Sequence, residues 1–151
     1  MSEITDLATQ IAVKLCVRFE GVYLESYLCP AGVATIGVGS TRYLDGTAVC
    51  LTDVPITSQQ AMELLKASIS ATYLPAVLEL CPGIDSASRL AALIDFTYNL
   101  GAGNLKNSTL RKRVNARRWN DVPAELRKWT RGGGRELKGL VLRREAEAML
   151  I

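Results

Sequence analysis

The hydrophobic period of this chain changes at Gly21, and the change limits the folds that the chain can adopt. Before Gly21, apolar residues recur every three or four positions, at Ile4, Leu7, Ile11 and Leu15. This spacing is typical of an amphipathic helix, and Ser2 is a suitable N-cap for it. From residue 23 to residue 49 the chain instead has short apolar runs separated by the turn signals "PAG" and "DG". Asp-Gly between apolar runs favours a hairpin, so we expect a small three-stranded antiparallel sheet there.

The rest of the chain returns to helical spacing. Thr57 and Gln60 have the spacing of a capping box, which predicts a long helix over 58–80 with a kink at Pro75. The apolar repeat that follows predicts a buried helix over 86–100. Shorter helices are expected over 110–115, 120–129 and 138–150.

Together these elements predict an α+β fold with an N-terminal helix, a small three-stranded antiparallel β-sheet lobe, a long linking helix and a C-terminal helical bundle. A chain of 151 residues has the size of one domain. We therefore expect a single domain over 1–151. Its small β lobe would cover about 20–56, and its helical lobe would combine 1–19 with 85–151 through the helix 58–80. A cleft between two such lobes is a natural substrate site.

The chain contains no histidine, and this excludes several classes of active site. Ser-His-Asp and Cys-His nucleophile systems and most zinc sites require imidazole as a base or a ligand. Proton transfer near neutral pH must then come from a carboxyl group, a cysteine, a lysine or a tyrosine. Two residues are candidates: Glu20, beside the glycine that ends the first helix, and Cys29, at the Pro-Ala-Gly turn of the expected sheet.

Positive charge is concentrated in the C-terminal part of the chain. Residues 111–144 contain twelve Lys and Arg against three acidic residues, so this stretch carries about +9 and the remainder about −6. Such a basic half suggests an anionic partner, either nucleic acid or a carboxylate-bearing cell-wall polymer, although a solvated helical face explains the composition equally well. The arginine-rich stretch shows no recognition helix with stacking aromatic residues, and Trp119 and Trp129 read as core residues, so we expect no nucleic-acid binding.

The four cysteines indicate neither a zinc knuckle nor a disulfide framework, because they lie far apart without a CxxC pair. Cys16 falls on an apolar helix face, whereas the sequence leaves Cys50 and Cys81 either free or paired. The first 21 residues lack a basic n-region and are interrupted by Lys14 and Arg18. We therefore expect neither a signal peptide nor stable membrane insertion, and accumulation in the cytoplasm.

Glu20 and the segment "VATIGVG" (33–39) are the two features that suggest a carbohydrate cleft. Glu20 follows the carbonyl end of the first helix, where the helix dipole disfavours a second negative charge and so favours the protonated form that a general acid requires. In a strand, Thr35, Gly37 and Gly39 would share one face, which leaves bare backbone for a sugar chain to approach. An ordinary exposed glutamate and a simple bend are the alternative interpretations.

The spacing of three residues resembles that of a known family. Eight residues separate Glu20 from Cys29, and five separate Cys29 from Thr35. This Glu-x8-(Asp or Cys)-x5-Thr arrangement is similar to that of the phage-type lysozymes, glycoside hydrolase family 24. The likeness continues in "ALIDFTYNLGAGNLKNSTL" from residue 92 and "WTRGGGRELKGLVLRR" from residue 129, and it covers nearly the whole chain. It implies a lysozyme-like fold.

The resemblance also implies a substrate and three catalytic residues. The substrate would be bacterial peptidoglycan, cut at the β-1,4 bond between N-acetylmuramic acid and N-acetylglucosamine, with no cofactor and no metal. Glu20 would protonate the leaving oxygen, the residue at Cys29 would assist or position the attacking water, and Thr35 would help to hold that water. Inversion at the anomeric carbon is expected, which requires room for a water between the catalytic groups.

The same resemblance implies supporting roles for residues around these three catalytic residues. Arg143 or Arg144 would fold back and orient Glu20, and the sequence does not choose between them. Gly37, Asn99 and the pair Ser108-Thr109 would support the wall of the cleft.

Cys29 stands where many members of the family have aspartate. A free thiol has a pKa of about 8.5, so it is a poor general base at neutral pH unless its pKa is lowered. It would act as a thiolate, as a weak hydrogen-bond partner for water, or as a nucleophile that gives retention. We favour water positioning.

Two rival functions remain at this point. One is a lytic transglycosylase that uses Glu20 alone and forms 1,6-anhydro products. The other is a catalytically silent cell-wall-binding module. For the hydrolase we expect a monomer that remains in the host cytoplasm, depends on a holin, and reaches the periplasm and the wall at lysis.

Overall fold

A computed structural model describes residues 2–151; Met1 lies outside the described residues. The chain forms eight α-helices and four short strands over these residues. In chain order they are α1 (Glu3–Glu20), β1 (Tyr23–Leu28), β2 (Ala34–Gly37), α2 (Ser58–Ser68), α3 (Leu74–Leu80), α4 (Ala87–Leu100), α5 (Ala102–Lys106), α6 (Thr109–Asn115), α7 (Val122–Leu126), β3 (Arg131–Gly132), β4 (Arg135–Glu136) and α8 (Lys138–Ala148). The expected α+β class is confirmed.

The helix α1 begins and ends where the sequence predicts. The Ser2 side chain accepts a hydrogen bond from the Thr5 backbone N–H at 3.2 Å, which makes it the N-cap. Gly21 ends the helix with a φ of 77°, a value that glycine adopts without strain. The buried face of α1 packs along α4, and Ala8 and Ala12 are fully buried there. Small residues on this face let the two helices approach closely.

The prediction of three strands in the first sheet is wrong, because this sheet has two strands. Within residues 23–49, only β1 and β2 pair as strands of an antiparallel sheet. The third segment forms a hairpin around Asp45 and Gly46, in which Tyr43 and Thr47 pair through their backbones at 2.9 Å. That hairpin meets the end of β2 through a single bridge from Ile36 to Ser40, so it does not extend the sheet. Its polar turn satisfies its own backbone groups, with Asp45 accepting from Thr47, and needs no neighbouring strand.

The expected long helix is continuous in path but changes its hydrogen bonding in the middle. Thr57 and Gln60 form both bonds of the capping box at its start. Between α2 and α3, residues Ile69–Tyr73 form a π-helical turn that ends next to Pro75. Because proline has no N–H and its ring crowds the preceding turn, the wider turn absorbs the disturbance that the sequence predicted as a kink.

The C-terminal half is a set of short helices around α4. The predicted buried helix is confirmed as α4, with Ser86 as its N-cap and Gly101 at its end. The helix expected over 120–129 is shorter than predicted, because it opens with a 3-10 turn and ends at Leu126. The sequence did not predict α5 or the small β3–β4 hairpin, which turns at two glycines with positive φ, Gly133 and Gly134.

Two apolar clusters lie on either side of the linking helices. The larger one is centred on α4 and collects residues from most of the helices. The smaller one lies under the sheet and contains Ile36, Val49 and Leu64. Within residues 2–151, no helix is both long enough and apolar enough to span a membrane.

The capping box predicts a measurable contribution to stability. Replacing Thr57 by Ala removes the acceptor of the Gln60 N–H, and we expect the free energy of unfolding to fall by about 1 kcal/mol. Thr57→Ser keeps the hydroxyl and should lose far less. Urea unfolding followed by circular dichroism measures both variants. Equal losses in the two variants would show that the hydroxyl is not what stabilises the start of α2.

Candidate active site

Glu20 is the last residue of α1, and its side chain reaches into an open cleft of about 430 Å³. The side chain keeps 27% of its surface exposed, so it is reachable from solvent. The cleft is lined by Phe19, Glu20, Asn99, Leu137, Gly139, Leu140 and Arg143. Three residues singled out from the sequence, Glu20, Asn99 and Arg143, therefore lie together although they come from three different helices.

Arg143 is the arginine that folds back to Glu20. Its Nη1 donates to Oε2 of Glu20 at 2.5 Å. The other side of the guanidinium donates two hydrogen bonds to Asp95, from Nε at 2.9 Å and from Nη2 at 2.8 Å. Asp95 is fully buried, and Arg143 is nearly so. A bidentate guanidinium–carboxylate pair fixes both groups in orientation as well as in distance. The Glu20 carboxylate is thus held by an arginine that cannot swing away.

Arg144 has a different position, although it is the next residue in α8. It is fully buried, its Nη2 donates to Glu147 at 2.8 Å and to Oδ1 of Asn99 at 2.9 Å, and its guanidinium lies 5.2 Å from the Phe96 ring centroid. Asn99 is in this way fixed from behind by Arg144 while it faces the cleft. The expected supporting role of Asn99 in the cleft wall agrees with this geometry.

The buried carboxyl groups behind the cleft have shifted pKa values. Burial raises the pKa of Glu147 well above its usual range, and the neighbouring Asp95 carboxylate raises it further. Burial also acts to raise the pKa of Asp95, but hydrogen bonds from Arg143 and Glu147 outweigh it and lower that pKa. Glu147 is therefore protonated, and Asp95 carries the negative charge that pairs with Arg143. Burial and Asp95 together raise the pKa of the adjacent Cys16 thiol, which is 3.5 Å from Oδ1 of Asp95.

Cys29 and Thr35 lie together at the turn that joins β1 to β2. Cys29 is partly exposed, and Thr35 is buried opposite Tyr27 in the sheet register. The pKa of the Cys29 thiol is lowered, chiefly because the Val33 backbone N–H stabilises the thiolate, and Ala31 and the Thr35 side chain act in the same direction. The Thr35 hydroxyl also donates to the Val33 carbonyl at 2.9 Å, which fixes the threonine against this turn.

Gly37 does not have the position expected of it. The regular strand ends at Gly37, where φ is 68°, so the alternation of faces does not continue to Gly39. A Cβ at Gly37 would lie 3.5 Å from Ala61 of α2, which shows that this glycine faces the helix and not the cleft. Gly39 lies beside Glu20 instead, since a Cβ there would lie 3.4 Å from the Tyr98 hydroxyl and 3.5 Å from Oε1 of Glu20. Of the two glycines predicted to leave bare backbone near the cleft, only Gly39 adjoins Glu20.

Ser108 and Thr109 serve the start of α6. The Ser108 hydroxyl accepts from the Arg111 N–H at 3.0 Å and donates to the Leu105 carbonyl at 2.7 Å, so it is an N-cap and is buried. Thr109 is the first residue of the helix and is exposed. The pair was expected to support the cleft wall, but Ser108 instead caps α6.

Asp95 is the residue of this site that the sequence analysis missed. It lies in the otherwise apolar run of α4, with Ile94 before it and Phe96 after it, and all three are fully buried. A charged residue in such a run is rarely buried unless it is paired. An aspartate at a core position of a predicted helix therefore indicates a buried, positively charged partner. In the structure this partner is Arg143.

Part of the positive charge of the basic stretch is buried or paired. Arg143 and Arg144 belong to the buried network, and the exposed Arg127 and Lys128 pair with Glu145 and Glu125. All four cysteines are free thiols. In the described part of the chain, from Ser2 onwards, no group of three or more cysteine or acidic side chains is placed to hold a metal ion.

The buried ion pair predicts a pH-dependent loss of stability in Asp95→Asn. Removing this carboxylate leaves Arg143 with a weaker partner, and we expect about 3 kcal/mol less stability at pH 7. Because folding lowers the pKa of Asp95, its contribution is present above the unfolded value of about 3.9 and is lost as pH falls through the folded value. The difference between variant and wild type should therefore shrink below pH 4.

Urea unfolding across pH 3 to 8 measures this effect. The matched control is the exposed Asp85 at the other end of α4, where Asp85→Asn should change stability by less than about 0.5 kcal/mol. A constant difference between Asp95→Asn and wild type over the whole range would contradict the assignment of the charge to Asp95.

Comparison with known proteins identifies the group to which this architecture belongs. The family model described as "Phage lysozyme" matches residues 17–147. An endolysin of Acyrthosiphon pisum secondary endosymbiont phage 1 is 32% identical over 141 residues, which is 90% of this chain and 91% of the relative. An endolysin of Bacillus phage B103 is 30% identical over 142 residues, 94% of this chain; the chain spans only 52% of that relative's length.

Solved structures agree with the sequence matches. An endolysin from Escherichia coli O157:H7 phage FAHEc1 superimposes with a TM-score of 0.83 at 30% identity, covering 93% of this chain and 90% of the other. The matched region includes Glu20, Cys29, Thr35, Asp95 and Arg143. The chain belongs to the phage lysozyme family.

Proposed function

We propose that this protein is a muramidase that hydrolyses the β-1,4 bond from N-acetylmuramic acid to N-acetylglucosamine in peptidoglycan and so acts as an endolysin. The observation that carries the proposal is the way Glu20 is held. Its Oε2 is bound by Arg143, whereas Oε1 faces the bare backbone of Gly39, beside the Tyr98 hydroxyl. One oxygen is anchored, and the side chain still exposes 27% of its surface to a substrate.

Glu20 is the proposed general acid. A general acid must meet the leaving oxygen in one orientation, and a carboxyl group fixed by a buried arginine satisfies that requirement before the substrate arrives.

Cys29 and Thr35 are proposed to position the attacking water. The donors around the Cys29 sulfur favour the thiolate, which is the form that accepts a hydrogen bond from water. The Thr35 hydroxyl lies next to it and offers a second polar contact. A water held between these groups and the sugar would attack opposite Glu20 as the glycosidic bond breaks, and this inverts the anomeric carbon. Glu20 would give its proton to the leaving oxygen, and the proton that the water loses would pass to the Cys29 thiolate.

The rival functions differ in their products. A transglycosylase would release 1,6-anhydro ends and would not need Cys29 or Thr35, because the sugar's own hydroxyl replaces water. A silent binding module would release nothing. The family match and the open, anchored Glu20 favour a glycosidase over a binding module.

The first test is digestion of purified Gram-negative peptidoglycan by wild type and by Glu20→Gln, with mass spectrometry of the soluble products. We expect hydrated products with new reducing ends from wild type and at least about a hundredfold fewer from the variant, because general acid catalysis typically contributes 10²–10⁴-fold. Glu25→Gln, an exposed glutamate in β1, is the matched control and should keep activity. Products lighter by one water would support transglycosylation, and none from wild type would support a binding module.

The second test concerns Cys29. If the residue positions water, Cys29→Asp should keep most of the activity, since a carboxylate also accepts a hydrogen bond from water, whereas Cys29→Ala should lose much of it. Initial rates on peptidoglycan measure both variants. An inactive Cys29→Asp together with a cysteinyl-sugar adduct in wild type, seen by intact-protein mass spectrometry, would instead establish Cys29 as a nucleophile.

A further inference from the structure

The strand β1 bulges between Tyr23 and Tyr27. In the sheet register Tyr23 lies opposite Gly37 and Tyr27 opposite Thr35, so four steps along β1 match only two along β2. Four residues of straight strand span roughly 13 Å. Instead the two tyrosine rings are in contact, with centroids 4.4 Å apart and planes inclined by 41°. Bulges re-aim side chains in this way, and they are frequent beside active sites.

The tyrosine pair, by which we mean Tyr23 and Tyr27, is not part of either apolar cluster. Tyr23 is 47% exposed, and Tyr27 is partly exposed beneath it. Gly21 leaves room for the Tyr23 ring, since a Cβ there would come within 3.3 Å of it. An aromatic ring with one supported face and one open face can still bury apolar area against a ligand.

The pair lies next to the proposed catalytic groups. Tyr23 is three residues after Glu20, just beyond the glycine that ends α1. Burial raises the pKa of the Tyr27 hydroxyl, and the nearby Tyr23, Glu20 and Cys29 raise it further. Tyr27 also lies opposite Thr35 in the sheet register and two residues before Cys29, so the pair adjoins the groups proposed to position water.

We propose that the tyrosine pair is a sugar-stacking subsite, in which the open face of Tyr23 packs against the apolar face of one N-acetylhexosamine ring of the glycan strand. Tyr27 supports the Tyr23 ring and sets its angle. This inference rests on the proposed function, because it takes its ligand class from the glycan that Glu20 would cut. A hexosamine ring presents a face of C–H groups to an aromatic ring, while its hydroxyl and acetamido groups remain available to polar residues of the cleft.

If Tyr23 stacks on a sugar, losing its ring should weaken binding, whereas losing only its hydroxyl should not. In a Glu20→Gln background, which binds without turnover, the affinity for an N-acetylglucosamine tetrasaccharide is measured by calorimetry. Tyr23→Phe keeps the ring and should bind within about twofold of the parent. Tyr23→Leu keeps apolar bulk without a ring, and it should bind about tenfold more weakly, as should Tyr23→Ala.

The control is Leu44→Ala, which removes an exposed apolar side chain from the Asp45–Gly46 hairpin and should not change binding. Thermal unfolding of each variant establishes that the fold is kept, and Tyr27→Leu, which removes the support of the ring, is the second variant and should also weaken binding. In the active protein, Tyr23→Leu should raise KM with little change in kcat.

Three results would overturn the subsite: tetrasaccharide affinity that is equal in Tyr23→Leu and the parent, affinity that falls as much in Tyr23→Phe as in Tyr23→Leu, or no binding by the Glu20→Gln protein. Failure of the proposed function looks different. In that case the wild type releases no products from peptidoglycan while binding still depends on the Tyr23 ring, and the subsite stands without the hydrolase.

Discussion

The bidentate ion pair between Arg143 and Asp95 is the interaction on which the candidate site depends. It joins α8 to α4 inside the core, and the remaining N–H of the same guanidinium extends to Glu20 at the end of α1. Burying two charges carries a large desolvation cost, so such a pair is poor support for stability as such. Its value here is orientation, because three helices must be in register before all three hydrogen bonds form at once. The arrangement ties the position of the acid to the packing of the whole helical core.

Local signals predicted the elements well, because their causes are local. The Ser2 and Thr57 caps and the glycine that ends α1 act within one turn of the helices that they bound. The third strand could not be predicted in the same way. Whether the Asp45–Gly46 hairpin extends the sheet depends on how β2 ends, and the positive φ at Gly37 turns the chain away before a full ladder forms. Strand pairing is a property of two segments together, and the sequence describes each segment separately.

The site was predictable to the extent that its residues are close in sequence. Glu20, Cys29 and Thr35 follow one spaced motif, and the chain places them at the end of α1, just after β1 and within β2. The choice between Arg143 and Arg144 was not predictable, since neighbouring residues on a helix point about 100° apart and only the packing of α8 decides which one faces the cleft. The structure assigns Arg144 to Glu147 and Asn99, and Arg143 to Asp95 and Glu20. The prediction that Gly37 faces the cleft was wrong for a related reason, because the direction of that residue depends on where the strand β2 ends.

Glu20 and Cys29 are held by different kinds of interaction, and this bears on the cysteine in a chain without histidine. Glu20 is fixed by side-chain ion pairs that reach into the core. The Cys29 sulfur is instead acted on by backbone N–H groups of the turn at Val33 and Ala31. Backbone donors are present whatever residue occupies position 29, so they stabilise a thiolate and a carboxylate alike. In the proposed mechanism a thiol can therefore take the place of an aspartate without a histidine to activate it, because the turn itself supplies the stabilisation.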